Sequence, residues 1–415
     1  MFLPSPVAKL KRKSIQVVVL ILLTTVVISC APQAKSPLVI TPSMTAEPSV
    51  SASSTISATN TVPSISTPTV AAPSTAPATD IIATDSVHSI YRGIEGGCQL
   101  TLDDHYIYLV EDLEPGSIYR IPLTEGKPQI IASTKYAGGR LNLFTPIMTR
   151  NWIVFADTPD QGIPGTWQIR AVNLQNFSER LLAKSNANDP TNLVTTYNFA
   201  ADGDNLYWTV YVDKPGQSND DFISMMDLNT GKTIALSNTK VTGSMWSILG
   251  ASEGRLAVEQ DYDDNHGGGS NISLFDPATG TPQALSTDRA SDMPHFVYPW
   301  VAWKAGPRYQ TIDKIGIYNL QTSQTQMITP PGYGDSDILL DGARVYWTGS
   351  PDDAGTYDAI YILDLAKNTI YVLPASKQYV HFGGIAIHGK TIAWLRVENI
   401  QTNKPDAYLE WTTIN

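Results

Sequence analysis

Cysteine is scarce in this 415-residue chain: there are two, Cys30 and Cys98. A chain this long with so few cannot rest on a disulfide framework. Its six histidines are scattered, so no cysteine–histidine spacing for a metal can be assembled. Aromatic side chains are missing from 31–85, and no run of basic residues occurs after Lys13. Four of the 28 basic residues precede Cys30 and all 39 acids follow it, which leaves 24 bases and a formal charge of −15 beyond that point, against −11 overall. So acidic a chain, without clustered Lys and Arg, argues against nucleic acid as a partner and offers no polybasic patch for anionic lipid. The charge chiefly favours solubility. Among enzymatic signatures, no His-Glu-x-x-His is present.

What is there divides into three stretches. Met1–Lys13 is basic, and Ile15–Ile28 is an apolar run broken only by Gln16, Thr24 and Thr25. As a helix that run spans roughly 21 Å, short of a bilayer core, which suits a cleaved export signal better than a permanent anchor. It ends in Val27-Ile28-Ser29-Cys30, which resembles the lipobox of bacterial lipoproteins. That resemblance implies a signal peptide over 1–29, lipid attachment at Cys30, and an extracytoplasmic protein anchored to the bacterial membrane. Multiple acyl chains would hold it firmly, at ~0.8 kcal/mol per buried CH₂. Cys98 is then left without an intramolecular partner and reads as a small buried residue opening a strand.

From Ala31 to Asp85 the chain is almost entirely Ser, Thr, Pro, Ala, Val and Ile, with Lys35, Glu47, Asp80 and Asp85 as its only charges. Such a segment buries too little apolar surface to offset the entropy of ordering. We expect 30–85 to be a lipid-anchored, disordered, semi-extended linker.

The rest, 86–415, repeats itself. Asp202-Gly203-Asp204-Asn205-Leu206-Tyr207-Trp208 recurs as Asp341-Gly342-Ala343-Arg344-Val345-Tyr346-Trp347 and as His388-Gly389-Lys390-Thr391-Ile392-Ala393-Trp394. Weaker copies centre on Ile107, Ile153, Leu256 and Val301, giving anchors spaced 44 to 53 residues apart. A second pattern follows each, as in Asp221–Leu228, Asp313–Leu320 and Asp358–Leu365. Its period-two alternation predicts a half-buried strand, and its closing Asp or Asn begins a turn. A fourth strand follows, as in Thr233–Leu236 and Thr369–Leu373. The period suits a four-stranded propeller blade, so the sequence predicts an all-β, seven-bladed β-propeller of antiparallel blades. The last copy is one strand short, and Val87-His88-Ser89-Ile90-Tyr91 is expected to complete it and close the ring.

These units resemble the repeats of TolB and prolyl-oligopeptidase propellers, also described as WD40-like or PD40 repeats, over about 97–415. The resemblance implies the fold more than any activity, because that class hosts many. TolB carries an α/β domain before its propeller, where this chain has the linker. A peptidase of that class needs a hydrolase domain, and no residues remain to build one.

Candidate chemistry is sparse. Asp261-Tyr-Asp263-Asp264-Asn265-His266-Gly267 opens like a calcium loop but has His266 at the sixth position and Ile272 at the twelfth, so it reads as a solvated acidic turn. Acids at Asp157, Asp160, Asp220, Asp221, Asp261–Asp264, Asp352 and Asp353 fall between second and third strands and would make one rim electronegative. The loops entering the inner strands carry Tyr136 and Arg140, Tyr197, Trp246, His295 with Tyr298 and Trp300, Tyr333, and Tyr379 with His381. We expect Arg140, Tyr197, Trp246, His295, Tyr298 and His381 to meet at the channel mouth as a ligand surface, stacking on a glycan or peptide. No catalytic residue, metal ligand or cofactor is predicted. The expected function is a surface-tethered binding or scaffold module for a glycan, peptide or protein partner. The competing class is an exported polysaccharide lyase or hydrolase acting at the same mouth.

Overall fold

Six repeats hold four short stretches rich in β-branched and aromatic residues, separated by residues that close hairpins, and each folds into four consecutive strands, while the last repeat supplies three. The structure is a computed structural model. It describes residues 78–81, 87–94, 98–111, 115–124, 126–136, 139–158, 168–184, 199–212, 220–242, 245–262, 269–306, 314–331, 338–351, 358–374, 381–398 and 406–414. Cys30, the export signal and the linker up to residue 77 lie outside the described residues, as do Tyr197, Tyr333 and Tyr379.

Two strands precede the repeats, β1 (Ala78–Ile81) and β2 (His88–Ile94). Blade 1 is β3 (Cys98–Leu102), β4 (Tyr106–Glu111), β5 (Ser117–Pro122) and β6 (Gln129–Ser133). Blade 2 is β7 (Arg140–Met148), β8 (Trp152–Thr158), β9 (Gln168–Asn173) and β10 (Glu179–Lys184). Blade 3 is β11 (Phe199–Asp202), β12 (Asn205–Val212), β13 (Asp220–Asp227) and β14 (Thr233–Thr242). Blade 4 is β15 (Met245–Ser252), β16 (Arg255–Tyr262), β17 (Gly269–Asp276) and β18 (Thr281–Ala284). Blade 5 is β19 (Ser291–Val297), β20 (Trp300–Ala305), β21 (Lys314–Asn319) and β22 (Gln324–Ile328). Blade 6 is β23 (Leu339–Asp341), β24 (Arg344–Gly349), β25 (Ala359–Asp364) and β26 (Thr369–Pro374). Blade 7 takes β27 (His381–His388), β28 (Thr391–Glu398) and β29 (Asp406–Thr413) from the end of the chain. Its fourth strand is β2, antiparallel to β29 from His88 opposite Trp411 to Ile94 opposite Asp406. The first strands of neighbouring blades approach one another and line the axis. The fold is a seven-bladed β-propeller.

Two expectations change. The first concerns the linker, because Ala78–Ile81 pairs with β26 and adds a fifth strand to blade 6. The second concerns the third strands, which are buried on both faces rather than half-buried: all six residues of β25 are buried, as are Ile315–Tyr318 of β21. The reason is where the core sits. It consists of seven apolar clusters, each built from two adjacent blades, so every blade is covered on both sides. Tyr108, Val110 and Ile118 of blade 1 meet Leu141, Ile153 and Phe155 of blade 2. At the ring closure Leu100, Ile107 and Leu109 meet Leu395, Leu409 and Trp411. Where such strands carry glycine the neighbour explains it: a Cβ on Gly316 would lie 2.1 Å from Cε2 of Trp303 on the adjacent strand.

Alternating strand direction gives the propeller two unlike rims. First-to-second and third-to-fourth connections share one rim, the hairpin rim; second-to-third and blade-to-blade connections share the other, the loop rim. On the hairpin rim Gly203, Gly342 and Gly389 take φ of 60°, 56° and 58°, as their tight turns require. The Asp or Asn ending the third strand caps its own turn. Asp227 Oδ1 accepts from the Asn229 and Thr230 amides at 2.8 and 3.2 Å, which holds its carboxyl below the usual range. Asn319 and Asp364 do the same for the two amides that follow. The leucine after it ties that turn to the first one: Leu228 N donates to Asp204 O, and Leu365 N to Ala343 O, both at 2.9 Å. Each half of the Asp/Asn-Leu pair therefore has a separate task.

The last residue of an inner strand reaches the next blade. Asp202 Oδ2 accepts from Gly254 N at 2.7 Å, Ser252 Oγ from Tyr298 N at 3.1 Å, and Asp341 from Gly389 N. His388 Nε2 lies 3.2 Å from Asp104 Oδ1, across the ring closure. The hairpin rim is thus sewn from blade to blade.

Candidate functional site

The mouth of the channel on the loop rim is set by where the inner strands begin. Arg140 is the first residue of β7, Trp246 the second of β15 and His381 the first of β27. Their backbones pair with Thr158, Gln260 and Val397, within two residues of the loop-rim ends of the neighbouring strands. Blades 2, 4 and 7 therefore bring these three residues to one rim of the axis. His295 lies deeper. It is the fifth residue of β19, opposite Ala302, half-buried and past a bulge at Met293–Pro294. Tyr298 is on the other rim, in the turn from β19 to β20, where it is 43% exposed. Trp300 begins β20 on that same rim. The sequence placed both at the mouth because blade 5 has no Asp-Gly signal; Tyr298-Pro299 makes the turn instead. Tyr136 is half-buried in the connection that enters β7.

The expected acidic rim is also altered. Asp157 is fully buried inside β8, not held in a loop. It accepts from Thr134 Oγ1 at 2.6 Å and from Lys135 N at 2.9 Å, and it is paired with the buried Arg170 guanidinium. Arg170 also pairs with Glu179, which Lys135 Nζ approaches at 2.9 Å. Thr134 and Lys135 belong to the connection leaving blade 1, so this compensated network fastens blade 1 to blade 2.

A second buried acid lies in blade 4. Glu259 lies inside β16, opposite Ser247 of the inner strand, and is 5% exposed. Its Oε2 accepts from Met293 N at 3.2 Å, across the junction between blades 4 and 5. That bond is possible because Met293 takes a positive φ of 53° in the bulge of β19. Burial pushes the Glu259 carboxyl up to about 7, and the charges of Asp261 and Asp292 add to the rise, while bonds from Met293 and Ser270 oppose it. Asp292 stands opposite Lys304 in the β19–β20 ladder, and both are buried. A carboxyl raised toward neutral pH, three residues from the loop-rim end of its strand, is a candidate for proton exchange at this mouth. Sequence reading passed over it, although an acid within Leu256-Ala-Val-Glu-Gln-Asp-Tyr262 was the available signal.

The inner strands carry few other charges. Among their described residues these are Arg140, Asp202, Asp292 and Asp341, besides the histidines His295, His381 and His388. Asp202, Asp341 and His388 are engaged in bonds to the next blade on the hairpin rim. No group of three or more His, Cys, Asp or Glu is placed to hold a metal ion among the described residues. Of the calcium-like segment, Asp261 and Tyr262 end β16, and 263–267 lie outside the described residues.

Searches by sequence find no matching protein family and no matching curated protein. Solved structures do match. An oligogalacturonate lyase in complex with manganese aligns with a TM-score of 0.51 and 12% identity, over 79% of this chain and 91% of that one. The β-propeller domain of the Trilobed protease from Pyrococcus furiosus aligns at 0.50 and 11%, over 76% of this chain and 97% of that one. TolB from Acinetobacter baumannii aligns at 0.43 and 13%, over 65% of this chain, which spans 63% of TolB's length. The likeness is one of fold. The propeller's chemistry has to be read from its own rims.

Proposed function

We propose that this protein is a surface-tethered binding module that recognises a peptide, glycan or protein partner at the loop-rim mouth of its propeller. The observation that supports this reading is the inequality of the rims. The hairpin rim is occupied by short turns bonded to their neighbours. The loop rim carries the longer connections, such as 185–198, and the inner-strand starts with Arg140, Trp246 and His381. An indole, a guanidinium and an imidazole from three blades suit stacking and hydrogen bonding to a ligand that no single blade encloses. The acidic charge of the chain favours neutral sugars, cationic peptides or a basic protein patch over anions.

The tether in this reading is a lipid on Cys30, with the protein exported and held at the bacterial membrane. Replacing Cys30 by Ala is expected to release the protein from the membrane fraction or leave its signal uncleaved. Unchanged processing and fractionation would remove the lipid anchor. Glycan and peptide arrays probed with the full chain test the binding half. Retained neutral or basic probes that are lost on Trp246→Ala are the expected result, and retention of acidic probes alone would contradict it. The neutral-range carboxyl of Glu259 favours a second reading, a lyase or hydrolase acting at this mouth. In that case array glycans would be cleaved rather than retained, and Glu259→Gln would abolish the cleavage.

A further inference from the structure

The outer strands of a propeller are sheet edges, and edges left open invite pairing with other chains. In this ring four of them carry a charge or an internal proline: β10 has Glu179, Arg180 and Lys184, β14 has Lys240, β18 has Pro282 and β2 has Arg92. β6, β22 and β26 carry no charge, and of these β26 has the longest apolar run, Ile370–Leu373, ahead of its closing Pro374. Among the described residues β26 is also the outer strand that receives a partner. Ala78, Thr79, Asp80 and Ile81 pair in parallel with Thr369, Ile370, Tyr371 and Val372. Burial agrees with this cover, since none of Thr369–Leu373 is exposed while all four residues of β18 are.

We propose that the outer edge of β26 is a strand-acceptor surface whose occupant is this chain's own segment 78–81, and that β1 and β2 together form a double clasp. Both strands come from ahead of the repeats, and both are added to blades built from the end of the chain, β1 to blade 6 and β2 to blade 7. Ring closure then rests on two separate pairings. Because β1 runs in the direction of β26, Ala78 lies at the hairpin rim. The clasp does not depend on what the mouth binds.

Hydrogen exchange of the full-length protein tests this. In the unaltered chain, the edge-directed amides of 369–373 are expected to exchange at least ~10-fold more slowly than those of 281–284, whose edge has no added strand. Successive residues of a strand direct their amides to opposite sides, so the double substitution Thr79→Pro with Asp80→Pro removes one amide that faces β26. In that variant the β26 edge amides should accelerate to the rate of the β18 edge, with β12 and β13 unchanged as the control for an intact ring. Equal edge rates for β26 and β18 in the unaltered chain would overturn the proposal whether or not the variant folds. So would β26 rates that ignore the double substitution in a folded variant.

Discussion

Glu259 and Asp157 are both buried acids within second strands, and they sit in different surroundings. The carboxyl of Glu259 is raised from 4.5 to about 7, so the folded chain keeps a proton that the unfolded chain releases between those values. Stability from this group is present below about 4.5 and is lost as pH rises through about 7, with a slope of at most ~1.4 kcal/mol per pH unit. Glu259→Gln still accepts from Met293 N and carries no charge. It should therefore flatten the change in urea midpoint between pH 5 and pH 8 and be more stable than the unaltered chain at pH 8. An unchanged slope would place the titration elsewhere. Asp157 is held by Arg170, and Arg170→Met should cost about 3–5 kcal/mol by leaving a buried carboxylate without its cation. Adding Asp157→Leu should recover most of that loss, as read from urea unfolding. The sequence did not separate these two acids, because their burial depends on neighbouring blades and the Arg170 partner of Asp157 is brought beside it by strand pairing within blade 2.

At the scale of the strand and its turn, the Asp-Gly signal was legible and half of its meaning was not. A glycine before an aromatic strand marks a tight hairpin by itself. The aspartate ahead of it serves the following blade, which only the assembled ring brings within reach. Asp202→Ala should therefore cost about 1 kcal/mol, the worth of one hydrogen bond to Gly254 N, while Asp202→Asn should keep most of it. Gly203→Ala has open space for its Cβ but a φ of 60°, so its cost should be the left-handed backbone alone, roughly 1–2 kcal/mol. Urea midpoints of the three variants check both statements, and an Asp202→Asn loss equal to that of Ala would contradict the first. The same dependence on neighbours misled the placement of Tyr298. Without an Asp-Gly pair, the turn at Tyr298-Pro299 read as an entry loop.

At the scale of the whole molecule, seven anchors at near-regular spacing were enough to predict the ring, because each repeat needs its neighbours to bury both faces. The closing strand was legible too, since the last copy lacked one. β1 was not: four residues in a Ser/Thr/Pro-rich segment carry no pattern of their own, and their partner β26 lies some 290 residues further along. Of the residues expected at the mouth, Arg140, Trp246 and His381 stand on one rim, His295 lies deeper and Tyr298 is opposite. A hydrogen-exchange footprint of the full chain, with and without the strongest glycan or peptide retained on an array, tests most directly the proposal that the loop rim meets the ligand. Slower exchange at 140–142, 245–247 and 381–383, with the turns 203–204, 253–254 and 298–299 unchanged, is the predicted result. Protection confined to those turns would contradict it.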